Sequence, residues 1–248
     1  MKAWKILATG NLHPIVVSNL EKHSAVNFFY YPDCSREKIL KEISDTDILI
    51  TRSETKVNKE LLKVATQLRY IARAAVGVAN IDLEAATEKG ILVFNCPGLN
   101  TNAAAELSFA HILNMYRQLP QAYMHMKKGL WDRNKFYGKE LRGKRLGIVG
   151  LGNVGYRVAK FARGFDMQVC AYDPYISQEK FNSCGVKSFN NLKELLASVD
   201  VLSIHVPLNK ETKGMIDIDH LNLMPKGSCL VNAARGGVVS EEAILESV

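Results

Sequence analysis

Two groups of residues in this chain have the types and spacing that chemistry needs. The first is Arg235, delivered by the apolar run VNAA into the two glycines of NAARGG. A guanidinium offers five N–H donors in a rigid planar fork, which suits an anionic group on a ligand. The glycines after it let ligand and backbone approach. The second group is Gly150-x-Gly152-x-x-Gly155 in GIVGLGNVG, directly after an apolar run and directly before YRVAKFARGF, whose apolar residues fall at helical spacing. A further apolar run, MQVCAYDP, ends at Asp173, 18 residues beyond Gly155.

That order of strand, glycine turn, helix and strand-end acid is the setting in which such a turn binds a dinucleotide. Gly150 allows the tight turn, Gly152 lets backbone reach the pyrophosphate, and Gly155 permits close packing of helix on strand. The phosphates meet the unpaired N–H groups at the helix start. Asp173 accepts from the adenosine ribose hydroxyls. A carboxylate repels a 2'-phosphate and PYISQ brings no arginine, so NAD is expected rather than NADP.

The elements that must position these residues alternate along the chain. WKILATG, VNFFYYP, DILITRS, RYIARAAV and GILVFNCPG read as buried strands, separated by helical stretches such as REKILKEISD and NKELLKVATQ. From Arg145 the same alternation resumes, through DVLSIHVPL to GSCLVNAARGG. This is the pattern of an α/β fold with parallel sheets, whose ligands bind at the carboxyl ends of the strands. Between the two halves, NTNAAAELSFAHILNMYRQLPQA predicts one long helix with an Asn or Thr N-cap. The basic, aromatic stretch from Met124 to Arg145 reads as an extended arm. The expected division is a first domain over 1–97 and a second over 98–248.

Composition excludes several classes. The 248 residues carry 32 Lys and Arg against 25 acids, a net charge of +7. The charges are interspersed, which suits small anionic substrates and argues against nucleic acid. No apolar stretch approaches the roughly 20 residues that span a bilayer, so no membrane partner is expected. MKAWKILATG meets charge and Gly before any signal-like core could form, so the expectation is cytoplasmic. The five cysteines lack C-x-x-C spacing and read as reduced, mostly buried thiols. Nothing points to a metal site.

Several segments together resemble the D-2-hydroxyacid dehydrogenase family: ILITRSETKVNKELL, NIDLEAATEKGILVFNCPGLNTNAAAEL, MKKGLWDRNKFYGKELRGKRLGIVGLGNVG, IHVPLNKET and LMPKGSCLVNAARGGVVSEEAI. TRSETKV with GLWDRNKFYGKEL points to the branch that acts on D-3-phosphoglycerate at the entry to serine biosynthesis. The resemblance implies a flavodoxin-like substrate domain, a Rossmann domain, an active site in the cleft between them, and a homodimer built through the long helix and arm. It implies reversible hydride transfer between NAD and the C2 hydroxyl of a D-2-hydroxy acid. Arg235 matches the family's catalytic arginine. Arg52, Ser53, Val76, Gly77 and Asn100 match substrate-side positions, and Arg133 matches an arginine reaching the phosphate end from a partner subunit. His205, Val206 and Pro207 match the lining of the adenosine and ribose region, which makes His205 a structural histidine rather than a base. Asn153 and Val154 match positions over the pyrophosphate, and Ala233 and Ala234 match positions at the nicotinamide ribose.

Some positions depart from the family pattern. Ala75, Val76 and Ala79 stand where Gly, Thr and Asp are usual, and Val206 where the phosphoglycerate branch has Thr. The family's catalytic histidine and its glutamate fall after the arginine segment, on strands beyond Val248, as do the last Rossmann strands and the helix returning to the substrate domain. Loss of that proton transfer is expected to slow turnover by roughly 10² to 10⁴, while NAD binding persists. Two other readings follow: an NAD-binding pseudoenzyme or regulatory subunit, and a dehydrogenase for another D-2-hydroxy acid such as glyoxylate or hydroxypyruvate.

Overall fold

The computed structural model describes residues 3–247 and divides into two compact units, the first ending at Leu99 and the second starting at Asn100. In the first, β1 (Trp4–Thr9), α1 (Pro14–Glu21), β2 (Val26–Tyr31), α2 (Arg36–Glu42), β3 (Ile48–Thr51), α3 (Lys59–Val64), β4 (Tyr70–Arg73), α4 (Leu83–Glu88) and β5 (Leu92–Phe94) alternate as the sequence predicts. The strands pair in parallel in the order β2-β1-β3-β4-β5, the flavodoxin-like arrangement. Alternate residues Leu7, Leu49 and Ile71 face one core with Leu61, Leu62, Ala85 and Ala86 from the helices. Ser35, Asn58 and Asp82 cap α2, α3 and α4 through their side chains.

The second unit begins with α5 (Thr101–Arg117) and α6 (Leu119–Lys127), followed by β6 (Arg145–Val149), α7 (Asn153–Gly164), β7 (Gln168–Tyr172), α8 (Gln178–Cys184), β8 (Lys187–Ser188), α9 (Leu192–Leu196), β9 (Val201–Ile204), α10 (Ile218–Leu223), β10 (Cys229–Asn232) and α11 (Glu241–Ser247). Its parallel sheet has the order β8-β7-β6-β9-β10, the Rossmann order, which reverses between β6 and β9. Both faces are buried, with period two along each strand. Leu146, Ile148, Val169, Ala171 and Val201 pack under α5 and α7. Val149, Cys170, Leu202 and Ile204 pack with Leu195 and Leu196 of α9.

Three readings of the region before β6 need correction. The long helix is two helices, broken at Gln118, whose backbone is left-handed (φ 52°, ψ 35°). Pro120 explains the break: it has no N–H to offer the Tyr116 carbonyl four residues back, and its ring would clash there. That carbonyl accepts instead from Lys139 N at 2.8 Å. Asn100 precedes α5, but its side chain makes no capping bond. The arm is also shorter than predicted, because Met124 lies on α6 and a 3₁₀ turn forms over Arg133–Lys135. All five cysteines are free, with Cys170 and Cys184 buried. Among the described residues no helix is long and apolar enough to cross a membrane.

Candidate dinucleotide and anion sites

The glycine turn joins β6 to α7, and each glycine has a separate steric reason. Gly150 has φ +89°, and a Cβ there would lie 2.8 Å from Val206 Cγ1 and 3.0 Å from the His205 carbonyl. At Gly155 a Cβ would sit 2.1 Å from the Gly150 carbonyl oxygen and 3.2 Å from Ile148 Cγ2, so helix and strand approach too closely for any side chain. Gly152 differs: a Cβ there would meet nothing within 4 Å. The space above it is open, as required where backbone must meet a ligand. No side chain caps α7, in contrast to α8, α9 and α10, so its first turn, with Asn153 and Val154, begins without a side-chain acceptor and could take an anion. The Val154 side chain itself packs into the core.

Asp173 fixes the turn from the end of β7. Its Oδ2 accepts from Leu151 N at 2.9 Å and its Oδ1 from Tyr175 N at 3.0 Å. Each oxygen keeps acceptor capacity for a hydroxyl. Between these residues and the end of β9 lies a cavity of about 420 Å³ lined by Gly150, Gly152, Asp173, His205, Val206 and Pro207, together with Tyr172 and Tyr175. It sits where the strand order reverses, the position at which open α/β sheets bind ligands. His205 shares a 2.8 Å hydrogen bond between Nε2 and Ser203 Oγ, and burial pushes its imidazole down to about 4. The ring is therefore neutral at ordinary pH and a weak base.

The loop after β9 supplies further lining residues, of which Asn209, Glu211 and Thr212 fall within IHVPLNKET but were not singled out beside His205, Val206 and Pro207. Asn209 Oδ1 accepts from Glu211 N and Thr212 N, both at 2.9 Å, and Thr212 Oγ1 donates to the Pro207 carbonyl at 2.5 Å. Asn209, Glu211, Thr212 and Met215 all face the cavity.

At the end of β10, Asn232 holds the arginine turn: its Nδ2 donates to the Arg235 carbonyl at 2.9 Å and its Oδ1 accepts from Ala234 N at 3.1 Å. Ala233 and Ala234 are half-buried against the two faces of the sheet. Arg235 is exposed, and its Nη1 donates to the Ala234 carbonyl at 2.7 Å. Among the described residues no carboxylate pairs with it.

In the first unit Arg52, Ser53, Val76 and Gly77 come together at the carboxyl ends of β3 and β4. The residue that joins them is Arg73, which carries no motif of its own. It is buried, its Nε donates to the Gly77 carbonyl at 2.9 Å, and its Nη2 donates to Ser53 Oγ at 3.2 Å. Its Nη1 is buried without a partner, and burial lowers its pKa. Asn95 Nδ2 holds the Val76 carbonyl at 2.8 Å, and Asn80 holds the Arg52 and Thr55 carbonyls. An arginine at a strand end in a row of cations was the signal available for Arg73. Two other predicted residues belong to the second unit: Asn100 opens α5, and exposed Arg133 lies in the 3₁₀ turn beside Trp131 and Phe136.

Comparison with known proteins agrees with this geometry. Residues 109–248 match the NAD binding domain of D-isomer specific 2-hydroxyacid dehydrogenases. D-3-phosphoglycerate dehydrogenase of Methanocaldococcus jannaschii is 42% identical over 98% of this chain and 46% of its own length. The human protein of the same name is 41% identical over 98% of this chain and 43% of its own length. The chain thus spans about half the length of the curated relatives it matches. Among solved structures, D-lactate dehydrogenase from Aquifex aeolicus, complexed with NAD and lactic acid, is 32% identical with a TM-score of 0.88, covering 98% of this chain and 72% of that one. A glyoxylate reductase from Paecilomyces thermophila (TM-score 0.87, 28% identical) covers 100% and 78%.

Proposed function

The chain belongs to the family of D-isomer specific 2-hydroxyacid dehydrogenases, and from that premise we propose that it serves the NAD-dependent oxidation of D-3-phosphoglycerate to 3-phosphohydroxypyruvate. The observation that carries this reading is the cavity at the β6/β9 reversal, with open space over Gly152 and Asp173 on its wall. NAD bound there supplies the hydride acceptor. The uncapped start of α7 binds the pyrophosphate, and Asp173 accepts from the ribose hydroxyls. The half-buried alanines before Arg235 leave the nicotinamide ribose room to approach.

On the substrate side, Arg235 holds the carboxylate and polarises the C2 oxygen as the carbonyl forms. That no carboxylate among the described residues pairs with it supports this, because an arginine already paired would be a poor ligand. Arg52, Ser53 and the backbone N–H groups of Val76 and Gly77 bind the rest of the anion, with Asn100 and a partner subunit's copy of Arg133 completing it. Arg73 supports a doubly charged substrate: a desolvated guanidinium with a spare N–H makes its surroundings electropositive. His205 is read as a structural histidine and not as the base for the hydroxyl proton. The resemblance extends the reading to serine biosynthesis in the cytoplasm, and the free thiols fit a reducing compartment.

The test is titration of D-3-phosphoglycerate, D-glycerate and D-lactate into the NAD-saturated protein, with NADH formation followed in parallel. The phosphorylated acid is expected to bind about tenfold or more tightly than glycerate, through charge-assisted bonds to its phosphate. Equal binding of the three would reassign the substrate to another hydroxy acid. Arg235→Met is expected to lose the acid and keep NAD.

A further inference from the structure

The mouth of the dinucleotide cavity carries a contact that lies outside the glycine motif. Tyr175, in the turn after β7, donates its hydroxyl to Oε2 of Glu211, in the loop after β9. Both residues line the cavity, so the bond joins one lip to the other. Both ends are anchored. The Tyr175 N–H sits on Asp173 Oδ1, and the Glu211 N–H sits on Asn209 Oδ1 in a loop that Thr212 ties back to Pro207. A tyrosine spans such a gap at little entropic cost, having two rotatable side-chain bonds. The bond to Glu211 raises the pKa of its hydroxyl further above the ordinary phenol value, with the charge of Asp173 adding to the effect.

We infer that Tyr175 and Glu211 form a clasp that determines cofactor specificity: Tyr175 holds the Glu211 carboxylate at the cavity mouth as a second negative charge beside that of Asp173. A neutral ribose is accepted between them, whereas a 2'-phosphate meets two carboxylates instead of one. The inference rests on NAD occupying this cavity.

Calorimetric titration of NAD and NADP into the wild type, Glu211→Gln and Tyr175→Phe tests it. The glutamine still accepts from Tyr175 but carries no charge, and NADP affinity relative to NAD is expected to rise about three- to tenfold, as removal of one screened like charge predicts. Tyr175→Phe keeps the ring and frees Glu211, so the ratio moves in the same direction by a smaller factor. The gain in the glutamine variant should fade between about 0.02 M and about 0.5 M salt. A ratio that stays constant in either variant, or a gain that salt leaves untouched, overturns the clasp while NAD binding by the wild type stands. Failure of the wild type to bind NAD overturns the assignment of the cavity beneath it.

Discussion

Asp173 does two jobs with one carboxylate. It holds the glycine turn through Leu151 N and the Tyr175 turn through Tyr175 N, and in the proposed NAD complex its remaining lone pairs accept from the ribose. Asp173→Ala is therefore expected to weaken NAD by about 10- to 100-fold, the worth of charge-assisted hydrogen bonds at a positioned site; calorimetry reads it directly. His205 makes a different prediction. Its folded pKa, about 4, lies below the ordinary 6.5 because burial disfavours the imidazolium. The unfolded chain binds the extra proton, so this contribution is present above pH 6.5 and is lost as pH falls toward 4. It amounts to roughly 3 kcal/mol, and His205→Gln should flatten the acid limb of urea-unfolding stability between those pH values. At this scale the sequence revealed what a motif encodes. Gly150, Gly152, Gly155 and Asp173 stood out because a strand, a helix and a fixed spacing surround them. Arg73, Tyr175, Asn209, Glu211 and Thr212 did not, because burial and loop contacts bring them to their sites without periodic spacing.

At the scale of the elements, the βα turn separates architecture from binding. Gly155→Ala drives a methyl into the Gly150 carbonyl and should destabilise the protein by about 1–3 kcal/mol. Gly152→Ala enters open space, so its melting temperature should stay within a degree or two of wild type while NAD affinity falls. Equal thermal losses in the two variants, measured by scanning calorimetry, would remove the distinction drawn between the glycines. Parallel strands were legible because burial on both faces makes each one a short, nearly continuous apolar run. The two-residue β8 was too short to carry such a signal. The α5–α6 break was legible in principle at Pro120, but the apolar spacing continues through it, and continuity of pattern outweighed a single breaker. The arm took its conformation from local turns and tertiary bonds such as Lys139 N to the Tyr116 carbonyl, which leave no period to read.

At the scale of the molecule, each unit has its own parallel sheet and its own core, and the second carries the family's NAD binding domain. Its helix α6 and the residues after it expose Leu119, Tyr123, Met124, Met126, Leu130 and Trp131, each about half exposed or more. Apolar side chains gathered in this way mark an interaction surface, and the proposed homodimer uses it. Met124→Glu with Trp131→Glu should shift sedimentation from dimer to monomer without loss of secondary structure; a wild type that sediments as a monomer would remove the dimer from the account. In the proposed reading these residues make a selective NAD site. Its most direct test is calorimetric titration of the protein with NAD. Saturable binding at one site per chain, tighter than that of NADP, is the predicted result. No heat of binding, or tighter binding of NADP, would contradict it.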